Sequence, residues 1–223
     1  HREVSNNDEL LDMISHIREV TGKPVGIKLV VGSPDHTREL FETIAKRGMD
    51  AAPDFITIDG GEGGTGAAPM PLMDLVGMTI REALPRVADL RAEFGLTDRI
   101  RLIASGKLIN PGDVAWALAA GADFVVSARG FMFSLGCIQA LKCSKNTCPT
   151  GITTHNPRFQ KGLVPDSKYK KVAHYAKGIV KEVEVIAHSV GISEPRKLRR
   201  HHVRLVLDSG RSERMNLLYP EVG

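Results

Sequence analysis

Short apolar runs alternate along the chain with longer segments in which apolar residues recur every three or four positions. VGIKLVV (25–31), DFITIDG (54–60), RIRLIASG (99–106) and DFVVSARG (123–130) are compact, apolar and β-rich, and each reads as a strand. Asn7 can cap a helix to about Val20, with Asp8 and Glu9 in its first turn and Leu10, Leu11, Ile14 and Ile17 on one face. Ser33-Pro34 opens a second helix to about Arg47 in the cap-then-proline order of a helix start. Thr79 to Phe94 is a third, closed by Gly95, and Asn110-Pro111 begins a fourth, closed by Gly121. Lys168 to Val190 reads as a long amphipathic helix with Val172, Ala176, Ile179, Val183, Ile186 and Val190 on one side.

Strands alternating with helices predict a parallel sheet with right-handed crossovers, either doubly wound or a barrel. Four β/α units are visible where a closed barrel needs eight. The expected fold class is α/β: the C-terminal half of a TIM (β/α)8 barrel, strands five to eight, plus a C-terminal helical extension. Either four units lie upstream or two chains complete each other, and the start at His1 rather than Met favours the former. On this reading residues 1–165 form the half-barrel, including a cysteine loop over 136–157, and residues 166–223 form the helical extension and tail.

Composition changes this picture little. Apolar residues at 42% and charged residues at 25% describe an ordinary globular chain and exclude a disordered one. No stretch approaches the roughly 18 apolar residues of a membrane span, and the polar first fifteen residues are no signal peptide. The net charge of +4 invites a nucleic-acid reading, but the basic residues are spread out and aromatics are only 5%, so a solvated surface is expected. The densest basic run, Arg196 to His202, follows the recognisable elements.

The chemistry sits in three places. All three cysteines fall within Cys137-Ile-Gln-Ala-Leu-Lys-Cys143-Ser-Lys-Asn-Thr-Cys148-Pro149. An odd number without secretion signals argues against a disulfide framework. Three thiolates suit a [3Fe-4S] cluster, which needs three ligands, and Cys-Pro is common where a chain leaves such a cluster. Spacing alone also allows zinc with His155 as a fourth ligand, or inert buried thiols.

The second place is Asp59-Gly60-Gly61-Glu62-Gly63-Gly64-Thr65-Gly66, whose glycines let backbone amides approach a flat or anionic ligand. It begins at a strand's C-terminal end, where barrel enzymes carry their chemistry. Ser105-Gly106-Lys107 and Ala128-Arg129-Gly130 end the next two strands, which is the usual barrel phosphate site. A lysine and an arginine converging there would hold a phosphate monoester. The third place is Lys28, inside an apolar strand. A buried lysine is rare unless paired or functional. Asp59 could neutralise it, or its ammonium could lie beside the electron-rich edge of a cofactor.

Four segments in this order, VGIKLV (25–30), DGGEGGTGAAP (59–69), the turns SGK and ARG, and GCIQALKCSKNTCPTGITTHNP (136–157), resemble the FMN-binding domain of glutamate synthase. The likeness is strongest to the short archaeal-type members, which lack a fused glutaminase domain, and it covers about residues 6–200. The resemblance implies FMN and a [3Fe-4S] cluster as cofactors. Electrons would pass from cluster to FMN, and hydride to 2-iminoglutarate, formed from 2-oxoglutarate and ammonia, would give L-glutamate. By motif position it implies Cys137, Cys143 and Cys148 as cluster ligands, and Ser105, Gly106, Lys107, Arg129 and Gly130 as the flavin phosphate cradle. Gly61, Gly63, Gly64 and Thr65 would lie beside the isoalloxazine, and Lys28 near flavin and substrate.

There are departures. The family loop often carries His-Asp where Gly61-Glu62 stands here. No N-terminal catalytic cysteine for glutamine hydrolysis is present, so nitrogen would come from solution or a glutaminase partner. No G-x-G-x-x-G follows a strand, so electrons would come through a ferredoxin or an NAD(P)H-oxidising subunit. The implied location is cytoplasmic. Three other readings remain open: a related FMN barrel with a different amine or amino-acid substrate, a non-catalytic half-barrel fragment or electron-transfer or assembly subunit, and a zinc-stabilised phosphate-binding module.

Overall fold

A computed structural model describes residues 2–64, 68–69, 71–73 and 75–221. Strands β1 (Gly26–Val30), β2 (Phe55–Asp59), β3 (Arg101–Ser105) and β4 (Phe124–Val125) form one parallel sheet. Helix α1 (Asn7–Thr21) precedes β1, while α2 (Pro34–Arg47), α3 (Ile80–Glu93) and α4 (Pro111–Ala120) connect successive strands. The strands lie side by side in chain order. That is the order of a barrel wall, whereas a doubly wound sheet reverses at a switch point.

The helix starts follow from short polar side chains that bind the first free amides. Asn110 accepts from the Asp113 amide at 2.9 Å while the Asp113 carboxylate accepts from the Asn110 amide at 3.3 Å, a reciprocal cap for α4. Ser33 accepts from the Asp35 amide at 3.2 Å, with Pro34 in the first turn of α2. The cap of α1 is Asn6 rather than Asn7, because the Asn6 carboxamide reaches the Glu9 amide at 2.9 Å.

Two expected elements differ more. The fourth strand pairs only at Phe124–Val125, opposite Ile103 and Ala104, although β3 continues to Ser105. The chain then turns into α5 (Ala128–Ser134), so Arg129 and Gly130 lie in a helical turn rather than in a strand exit. The C-terminal extension is not wholly helical. After α6 (Pro157–Gln160) and α7 (Pro165–Ser189) the chain forms an antiparallel hairpin, β5 (Arg204–Val206) and β6 (Ser212–Arg214), and a last turn, α8 (Met215–Leu218). Pro165 starts α7 three residues earlier than expected, since its missing N–H would be unbonded there anyway.

The sheet has one covered face. Ile56, Ile58, Leu102 and Ala104 are fully buried and pack with Leu11, Phe41, Ile44 and Leu84 from the helices. The opposite face carries, in register across the four strands, Lys28, Thr57, Ile103 and Phe124. Phe124 is 47% exposed and Val30 is 49% exposed. Lys28 also points this way, so it is exposed rather than buried, with its side chain 60% accessible.

The tail is held by a buried ion pair. Arg200, 3% exposed, reaches Asp89 of α3 at 2.7 Å and donates to the Pro85 and Tyr219 carbonyls, each at 3.0 Å. Met215 thereby joins the main core, fully buried. At the rim below the sheet, burial works against the charge of Asp54. The Val25 amide, Arg18 and Arg99 outweigh it and hold the carboxyl below the ordinary aspartate range. Arg200→Ala should cost about 3–5 kcal/mol in urea unfolding, since it strands a part-buried carboxylate. Lys197→Ala, which breaks the exposed pair with Glu194, should stay within about 0.5 kcal/mol.

Candidate functional site

The C-terminal ends of the four strands meet at one rim. Gly60 donates its amide to the Ser105 carbonyl at 2.9 Å, and Met78 joins the first two strand ends, donating to Val31 at 2.8 Å and accepting from Gly61 at 2.7 Å. Gly106 has φ +123, and a Cβ there would stand 2.8 Å from the Gly60 nitrogen, so only glycine lets β3 exit this close to β2. The glycine turn therefore serves backbone packing before any ligand is considered. Lys107 follows in a left-handed conformation, φ 50.

The glycine loop is shaped by its own contacts. The Glu62 carboxylate accepts from the Ile80 amide at 2.9 and 3.0 Å and caps α3, where the Thr79 side chain gives no cap. Sequence reasoning missed this role, although a glutamate among glycines just ahead of a helix was its available signal. Gly61, Gly63 and Gly64 line a cavity of about 400 Å³ with Asp59, Leu72 and Val76. Thr65 lies outside the described residues. Lys28 reaches Asp59 at 2.6 Å, so its charge is paired across β1 and β2 on the open face.

Arg129 connects this loop to the cysteines. Its guanidinium donates to the Gly64 carbonyl at 2.7 Å, and the same side chain lines a cavity of about 50 Å³ that also touches Cys137, Cys143 and Cys148. All three cysteines thus line one space. Gln139, Leu141 and Asn146, none of them glycine, adopt φ between 52 and 56 in the intervening loop. Such strained backbone persists only where surrounding contacts hold it. Thr154 and the His155 amide hold Asn146, the hydroxyl donating to its carbonyl at 2.7 Å and the amide to its side chain at 2.6 Å.

Among the described residues, no three His, Cys, Asp or Glu side chains converge on one ion position. Zinc needs its ligands around a single ion, and His155 lines a different cavity, shared with Cys143 but not with Cys137 or Cys148. A cluster spreads its ligands over several irons, so three thiols around a shared space fit it. Burial opposes charge on Cys148, yet the Thr150 hydroxyl at 3.3 Å and the amides of Thr153 and Thr150 bring its thiol down to about 6. A thiolate at neutral pH is the form that binds metal.

These features stand beside the following likenesses. The family described as a conserved region in glutamate synthase matches residues 1–193. The glutamate synthase large subunit-like protein YerD of Bacillus subtilis is 48% identical over 201 residues, covering 90% of this chain and 38% of that protein. The archaeal glutamate synthase (NADPH) of Methanocaldococcus jannaschii is 32% identical over 207 residues, 92% of this chain and 39% of that one. The chain thus spans under two fifths of these relatives. Among solved structures, the flavin-binding domain of baker's yeast flavocytochrome b2 superposes with a TM-score of 0.55 at 16% identity, covering 84% of this chain and 36% of that one. Flavocytochrome b2 with pyruvate bound gives 0.53, also at 16%, over 85% of this chain. At such identity the likeness is one of fold. In metal-free protein, alkylation of Cys148 by iodoacetamide should accelerate through a midpoint near pH 6, and Thr150→Val should move that midpoint upward. A wild-type midpoint near the ordinary thiol value of about 8.5 would contradict the hydrogen-bonding argument.

Proposed function

This chain belongs to the glutamate synthase family, and on that premise we propose that it forms the C-terminal half of a flavin-binding (β/α)8 barrel that reduces an imino acid to an amino acid. The supporting observation is the position of Arg129, which grips the glycine loop at Gly64 while lining the cavity of the three cysteines. One side chain thereby joins the two places where cofactors are expected. A bound FMN would supply hydride, and an iron–sulfur cluster the electrons, for converting 2-iminoglutarate, made from 2-oxoglutarate and ammonia, into L-glutamate.

The chain's own residues have separable tasks in this reading. Cys137, Cys143 and Cys148 hold the cluster as thiolates. Lys107 and Arg129 neutralise the flavin phosphate, with Ser105, Gly106 and Gly130 shaping the turns around them. Gly61, Gly63 and Gly64 leave room for the ring, and motif position assigns Thr65 to the same loop. Lys28, steadied by Asp59, presents a cation on the open face of the sheet, where negative charge would develop at the reacting centre. Four further β/α units close the barrel over that face. Electrons arrive from a ferredoxin or an NAD(P)H-oxidising subunit, and nitrogen arrives as ammonia, free or from a glutaminase partner. No described helix is long and apolar enough to cross a membrane, and we place the protein in the cytoplasm.

Two observations favour a second reading. Identity is higher to a protein named only as large subunit-like, 48%, than to the named archaeal synthase, 32%, and Glu62 is tied to the Ile80 amide where the family loop often has aspartate. A related flavin enzyme with another amino-acid product would show the same cofactors and reject 2-oxoglutarate. The full protein should be brown-yellow, with flavin bands over a broad iron–sulfur shoulder. Cys143→Ala should remove the shoulder and bound iron while leaving the flavin. Colourless protein, or iron unaffected by that substitution, would contradict the assignment. L-glutamate formed from 2-oxoglutarate and ammonia separates the first reading from the second.

A further inference from the structure

Tyr175 of α7 projects between the two strand-end turns. Its phenol donates to the Ile109 carbonyl at 2.6 Å and shares a hydrogen bond of 3.1 Å with the Ser127 hydroxyl. Ile109 lies two residues after Lys107, and Ser127 two residues before Arg129. Its ring also meets Phe131 edge-on, with centroids 5.0 Å apart and planes at 86°. The chemistry fixes the direction of these bonds. A carbonyl only accepts, so the phenol proton goes to Ile109 and the Ser127 hydroxyl donates to the phenol oxygen.

The contact also explains one glycine. A Cβ at position 130 would stand 1.8 Å from the Tyr175 hydroxyl oxygen and 2.8 Å from Ser127 Oγ. Glycine at 130 is therefore required by the tyrosine that stands against it. The sequence reading assigns that glycine to the phosphate, whereas the close approach belongs to a protein group.

We propose that Tyr175 is a positioning residue for the cofactor phosphate: one side chain from α7 ties the Lys107 turn to the Arg129 turn and fixes their separation before the anion arrives. The proposal rests on the flavin reading above and adds a residue outside every motif that carries it. Two cations held apart by a rigid strut lose less freedom on binding a phosphate than two on independent turns. Ser127, its proton engaged by Tyr175, acts as part of the strut rather than as a phosphate donor.

The test compares FMN with riboflavin, which lacks the phosphate, on the flavin-free full-length protein by quenching of flavin fluorescence. Tyr175→Phe keeps the ring and removes both hydrogen bonds. It should weaken FMN about tenfold, leave riboflavin unchanged and leave the unfolding midpoint of the flavin-free protein near that of wild type. A ratio of FMN to riboflavin affinity equal to that of wild type overturns the proposal, including the case in which both flavins weaken together, which marks a general packing role. Ser127→Ala cuts the same strut from the other side and supplies the comparison should the phenylalanine variant not fold. Wild-type protein that binds neither flavin, or does not prefer FMN, overturns the flavin-phosphate reading itself and the role of Tyr175 with it.

Discussion

A parallel sheet needs cover on both faces, because its crossover helices and its apolar strands leave neither face suited to water. In this chain the helices α1 to α4 cover one face, while Lys28, Thr57, Ile103 and Phe124 line up across the other. On that side the Lys28 side chain stays 60% accessible, Arg196 lies over the Phe124 ring at 5.0 Å, and β1 and β4 stand at the edges of the sheet. The constraint organises the remaining features. Chain order places every strand exit at one rim, and the cation of Lys28 and the carboxylate of Asp59 meet on the uncovered face below it. Whatever covers that face also encloses the pair, which changes it from a solvated ion pair into one of the groups facing a reaction centre.

Around the rim, the loops are fixed chiefly by contacts with each other. Glu62 caps α3, Met78 joins two strand ends, Arg129 holds the Gly64 carbonyl, and Asn146 is gripped by Thr154 and His155. Each bond fixes backbone that would otherwise be free to move in a glycine-rich segment. The cysteine loop then needs no single-ion geometry. Its thiols share a wall with the arginine that touches the glycine loop, so two expected cofactor positions become neighbours through one guanidinium.

The order and kind of the main elements were legible because each was written locally. Strand runs such as FITID and caps such as Asn110-Pro111 with Asp113 act within a few residues, and the structure follows them. The misplaced boundaries had partners elsewhere in the chain: β4 is limited to the two residues that pair with Ile103 and Ala104, a fact about another strand. Lys28 looked buried because an apolar run does not reveal which face is covered; the alternation of Ile27 and Leu29 toward the core leaves it on the open side. Arg200 and Tyr175 were invisible for a related reason. Each matters through groups more than 60 residues away, Asp89 for the first and Ile109 for the second, and no periodicity records such a pairing.

Hydrogen–deuterium exchange on the intact protein puts the organising claim to the most direct test, by reading the outward-facing amides of β1 and β4. Slow exchange there, comparable with that of β2 and β3, is the result expected if further strands pair with both edges and shut the open face into a barrel. Rapid exchange at those two edges, beside a protected interior, would mean that the sheet stays four strands wide in the working molecule, and the enclosed site built on it would not exist.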